Sequence, residues 1–140
     1  MRTITTTRIT AQGARDLIAA ARSIAEAMDV AVVIHVADPA GNPVAMERMD
    51  HSPLFSIEIA RKKAWTAAAA GTPTRDLAAA FNDSPALLHG VAGNVDDLIT
   101  VGGGVPIRVD ADVAGSLGVS GASEEQDHEI ASGAVTSVFG

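Results

Sequence analysis

Val30-Ala31-Val32-Val33-Ile34-His35-Val36-Ala37, then Asp38-Pro39-Ala40-Gly41-Asn42, then Val44-Ala45-Met46-Glu47-Arg48-Met49, is the stretch that decides the fold. The first run is rich in β-branched residues and reads as a buried strand. Asp, Pro, Gly and Asn in close succession set a turn. The second run pairs back as the other arm of a hairpin, so the sheet it begins is antiparallel.

Upstream, Thr10 caps a predicted helix running to about Met28, with Ala14, Leu17, Ala21, Ile24 and Met28 on one apolar stripe. Downstream, Ser52-Pro53 reads as a helix start, and Ile57, Ala60, Ala64 and Ala68 share a face of that helix. Gly71-Thr72-Pro73 ends it. Thr74 is expected to cap a short helix over Arg75 to Phe81, broken by Asn82-Asp83-Ser84-Pro85, and Leu87 to Asp97 reads as irregular. Strands are predicted at Ile99 to Val101, Val105 to Val109 and Val113 to Val119, with Asp110-Ala111-Asp112 as the last hairpin loop. Ser123-Glu124-Glu125-Gln126 is a capping box that opens a final helix to about Val138, burying Ile130, Ala134, Val135 and Val138. Hairpins separated by helices predict an α+β fold with a central antiparallel sheet of about five strands and helices packed around it.

Length bounds the organisation: 140 residues suit a single domain, 1–140. Hydrophobic residues make up 47% and aromatics only 3%, so the core is built from small side chains. A thin sheet and Ala-rich helices with so few large residues leave apolar surface to cover. The chain is therefore expected to be a homo-oligomer, a dimer or a larger even-numbered assembly. The absence of cysteine excludes disulfides, thiolate ligands and a cysteine nucleophile. A formal net charge of −7 argues against nucleic acid as a partner. The N-terminus has no apolar targeting segment and the apolar runs are too short to span a bilayer, so the expectation is a cytoplasmic protein with no membrane partner.

Three clusters carry possible chemistry. In Glu47-Arg48-Met49-Asp50-His51, Arg48 either ties Asp50 to a helix start or binds a carboxylate in a bidentate fork. In Arg61-Lys62-Lys63, three adjacent cations cannot share one helix face, and Lys63, with Ile59 and Ala67 four residues either side, is the candidate to point inward. In Gly102-Gly103-Gly104-Val105-Pro106-Ile107, the glycines either bare amide N–H groups for an anion or mark a bulge or close contact. No Gly-Lys-Ser/Thr follows and the run enters a strand, which excludes a phosphate loop and a dinucleotide fingerprint. Gly118-Val119-Ser120-Gly121 does not meet the nucleophile-elbow pattern. Of the histidines, His35 lies within a strand, while His51, His89 and His128 fall at element ends or loops. No pair has the spacing of a helical metal site, so no metal centre is expected.

Arg48-Met49-Asp50, Ala60 to Ala67, Gly103 to Ile107, and Gly118 to Ala122 with Glu125-Gln126-Asp127 occur here in the order found in the GlcG/HbpS-type haem-binding family. That family also includes the C-terminal domain of PduO-type corrinoid adenosyltransferases. The resemblance implies a profilin-like fold, dimers or larger assemblies, and haem as the one cofactor. Trp65 and His51 depart from the commonest residues at their positions.

Two functions follow. The first is a module for haem, a related tetrapyrrole or another small-molecule ligand. Arg48, His51, Gly103, Gly104, Val105, Pro106 and His128 are its candidate binding residues, Met46 and Met49 further axial candidates, and Arg48 and Lys63 the cations for propionates. The second is a cofactor-free enzyme of lyase, isomerase or hydratase type acting on a small carboxylated or carbonyl substrate. Asp50, Lys63 and Asp127 are its catalytic candidates, with His51 or His128 able to move a proton. A ligand-free oligomeric scaffold is the third reading. In either of the first two, Arg48, Asp50, Lys63 and the backbone of Gly103 to Pro106 are expected to line one cleft, joined by Asp127 at the start of the last helix.

Overall fold

Helix α1 (Ala11–Ala27) leads into β1 (Val33–Ala37) and β2 (Pro43–Arg48) in the computed structural model, which describes residues 1–140. Then come α2 (Ser56–Ala70), α3 (Thr74–Asn82), α4 (Pro85–Gly90), β3 (Gly104–Val109), β4 (Asp112–Ser120) and α5 (Glu124–Phe139). The four strands form one antiparallel sheet in the order β2-β1-β4-β3. Both prolines within strands, Pro43 and Pro106, sit on the edge strands, where a missing N–H costs no ladder bond.

Period-two alternation assigns the two sheet faces to different helices. Ile34 and Val36 of β1, Leu117 and Val119 of β4, and Val105 and Ile107 of β3 join Leu17, Ala21 and Ala25 of α1 and Ile130, Ala131 and Ala134 of α5 in one core. The alternate residues face α2. Ser116 donates to the Ala64 carbonyl at 2.5 Å, and Ser120 to the Ser56 hydroxyl at 3.1 Å. Gly118 lies between them, where a Cβ would collide with the backbone of Ala60 and Ala64. Small residues on both partners thus let α2 lie close against β4.

The α+β class, the first hairpin, the Thr10 cap, the Gly71 stop and the Ser123–Gln126 capping box agree with the sequence reading. Five details differ. The sheet has four strands and not about five, because Ile99–Val101 is not a strand: the Ile99 amide and the Val101 carbonyl bond to the hydroxyls of Thr66 and Thr74. The second helix starts at Ser56, since the Ser52 hydroxyl donates back to the Met49 carbonyl at 2.7 Å and caps nothing. Thr74 is not a cap either, because its hydroxyl bridges the Val101 carbonyl and the Gly104 amide. Finally, α4 lies where irregular chain was expected, opened by Ser84, whose hydroxyl accepts from the Leu87 amide, with Pro85 at the first helical position. In α5, Val135 and Val138 are only half-buried.

Candidate functional site

Lys63 is the site's central side chain, and its position follows from the register of α2 on the sheet. Three residues separate it from Ala60 and one from Ala64, the positions that press on Gly118, so it too faces inward. Its side chain is 2% exposed. Its Nζ donates to the Val119 carbonyl at 3.0 Å and to Asp127 Oδ2 at 3.1 Å. Asp127 stands in the first turn of α5, and its other oxygen accepts the Ala122 amide at 3.0 Å, which fixes the strand-to-helix corner. Burial pulls the Lys63 ammonium below its ordinary range, while the adjacent Asp127 carboxylate pulls it partly back.

The pair opens on a pocket of about 300 Å³. One wall is Ile99 and Val101, another is Phe55 and Ile59, and Ser56, Ser120 and Glu124 supply polar edges. The first wall is held by two buried threonines. The Thr66 hydroxyl donates to the Asp97 carbonyl and accepts the Ile99 amide, and Thr74 does the same for Val101 and Gly104. Gly103, at φ +130, keeps room beside the amine: a Cβ there would lie 2.8 Å from Nζ and collide with the Val119 carbonyl.

Lys63 and Asp127 are brought together on that pocket, while Gly103 and Gly104 pack closely against Lys63 without lining it. Arg48 and Asp50 are not brought to that pocket within one chain. They line a second, polar groove with Arg22, Glu26, Glu47 and Met49. The reason is topological: β2 is an edge strand packed beside α1, whereas α2, which carries Lys63, packs on β1, β4 and β3. Arg48 and Asp50 are exposed and form no ion pair with each other; Glu47 pairs with Arg22 at 2.6 Å instead. Val105 and Pro106 are buried in β3 and line neither space. His51 is exposed, on a turn with φ +69. His128 is buried, lines neither space, and leaves Nδ1 without a partner. His35 is buried beneath α2 with Nε2 unpartnered. No group of three His, Asp or Glu side chains is placed to hold a metal ion, and no helix is long and apolar enough to cross a membrane.

Sequence reasoning missed Phe55, Ser56, Ile99, Val101 and Glu124 as pocket residues. Ile99 and Val101 were legible only as an apolar segment, because what places them is a pair of hydroxyls more than twenty residues away. Ser56 carries no local signal.

The sequence model of the family described as haem degrading protein HbpS-like matches residues 9–136. Corrinoid adenosyltransferase PduO of Citrobacter freundii is 38% identical over 115 residues, 81% of this chain and 34% of that protein. The chain thus spans about a third of that relative's length. The crystal structure of Klebsiella pneumoniae protein ORFY superposes with a TM-score of 0.89 at 32% identity, covering 97% of this chain and 94% of that one. The structure of a PduOC:heme complex superposes with a TM-score of 0.88 at 33% identity, covering 95% of this chain and 96% of that one.

Proposed function

The chain belongs to the HbpS-like family of haem-degrading proteins, and from that premise we propose that residues 1–140 form one profilin-like domain that binds haem or a related tetrapyrrole as a homo-oligomer. The observation that carries this reading is the likeness to the PduOC:heme complex, which extends over 95% of the chain. The chain's own donor set fits the group. Without Cys or Tyr, an axial ligand must be a histidine or a methionine. The turn from Asp50 to Phe55 presents an exposed His51 imidazole beside Leu54 and Phe55, which are 69% and 72% exposed. Arg48, exposed and without an ion-pair partner, stands three residues before His51 and is the cation for a propionate. Bound haem would supply iron for ligand binding or redox chemistry. This chain's part is to hold it, through His51 or His128.

Apolar surface at Met46, Leu54, Phe55, Leu87, Leu88 and Phe139 supports an assembly of at least two chains. Haemin titrated into the protein should give a shifted Soret band that saturates at one haem per chain or per dimer. His51→Ala should weaken or shift it. If neither His51→Ala nor His128→Ala changes the spectrum, the ligand assignment fails; if the native protein gives no shift, the haem reading fails.

A further inference from the structure

Lys63 and its pocket are not needed to hold haem on the exposed turn, and their chemistry points elsewhere. The ammonium has three N–H donors. Val119 and Asp127 accept two, which leaves one without a partner in a residue that lines the pocket. At about 300 Å³, the space stands at the lower end of ligand pockets and suits a molecule of few atoms. Its walls are largely aliphatic and aromatic, from Phe55, Ile59, Ile99 and Val101.

Charge decides what kind of molecule enters. One cation, Lys63, faces two carboxylates, Asp127 and Glu124, on the same pocket. The helix starts nearby offer no surplus positive end, because Glu58 already stands in the first turn of α2 and Glu124, Glu125 and Asp127 in that of α5. A carboxylate ligand would meet net negative charge. An uncharged carbonyl compound would not.

We propose that this pocket takes a small aldehyde or ketone and that Lys63 condenses with it to an imine, with Asp127 carrying the proton. The ammonium first passes a proton to the Asp127 carboxylate. The neutral amine adds to the carbonyl carbon, and the proton it carries moves to the former carbonyl oxygen. Asp127 then returns its proton to that hydroxyl, water leaves, and the iminium cation remains beside the Asp127 carboxylate. One C=N bond replaces one C=O bond, one water is released, and the charge of the pair is unchanged. An amine held in an apolar pocket, where burial favours its neutral form, is suited to this step.

The chain has only two lysines, Lys62 and Lys63, which makes the test direct. Haem-free protein is treated with propanal and cyanoborohydride, which reduces an imine to a stable propylamine, and the adduct is located by peptide mass spectrometry. The expected result is modification of Lys63 at least tenfold ahead of Lys62 and of the Met1 amine, with the preference lost in denaturant. Propanoate, the charged counterpart, should give no protection. Lys62 modified as fast as Lys63, or no adduct at Lys63, overturns the imine; protection by propanoate overturns the choice of an uncharged ligand. None of these outcomes bears on the Soret titration, so the two readings fail separately.

Discussion

Lys63 and Asp127 form a buried ion pair, and such a pair is far costlier to break than to replace. Lys63→Met leaves the Asp127 carboxylate buried beside an apolar chain and should cost about 3–5 kcal/mol in denaturant unfolding. Lys63→Met with Asp127→Asn removes both charges and keeps an acceptor for the Ala122 amide. The double variant should recover at least half of that loss; a loss equal to the sum of the two single variants would show that the pair is not coupled. Two histidines set a different dependence. Burial pushes His35 and His128 below the ordinary imidazole value of 6.5, aided by Arg61 beside His35 and Arg75 beside His128. The folded chain therefore binds these protons less well than the unfolded chain, and stability held above pH 6.5 is lost as pH falls below it. Tm should drop between about pH 7.5 and about pH 5.5, and His35→Gln with His128→Gln should flatten that drop. Asp38, Glu58 and Asp97 are held below their ordinary carboxylate values and act in a lower window. The inward Lys63 was legible because three cations in a row cannot all reach solvent. That Arg48 pairs with neither Asp50 nor Glu47 was not, because the partner Glu47 takes, Arg22, comes from another helix.

The helices and strands owe their places to side chains that give up a local role for a distant one. Thr74 and Ser52 both stand where caps are expected, and both spend their hydroxyls elsewhere. Ser123 and Thr10 keep the capping role and were readable. Local patterns thus revealed α1, the first hairpin and the opening of α5, while the 97–104 segment depended on Thr66 and Thr74, which no local pattern identifies. Thr66→Val removes the hydroxyl from the Asp97 carbonyl and the Ile99 amide and should cost about 1–3 kcal/mol. Hydrogen exchange at Ile99 should rise with it; unchanged exchange there would show that the threonine does not hold the pocket wall. Gly118→Ala puts a methyl into the α2 backbone and should destabilise by about 1–3 kcal/mol through separation of α2 from β4. A neutral effect at Gly118 would mean that α2 does not lie as close to the sheet as described.

At the scale of the whole molecule, the antiparallel sheet was readable from alternation, but the number of separate cavities was not. One-dimensional spacing says that Arg48 and Lys63 are fifteen residues apart; only the strand order and helix packing show that Arg48 ends an edge strand that α2 does not cover, while Lys63 lies over the inner strands. What the molecule presents outward is an exposed turn with His51, Leu54 and Phe55, together with apolar residues on α4 and at the end of α5. On the proposed reading, haem on that turn and neighbouring chains over the remaining apolar surface account for both. Native mass spectrometry of haem-loaded protein reads the two together. The account predicts an even-numbered assembly of the 14.2 kDa chain carrying one haem per chain or per pair of chains. A haem-free species at 14.2 kDa under the same conditions would contradict it.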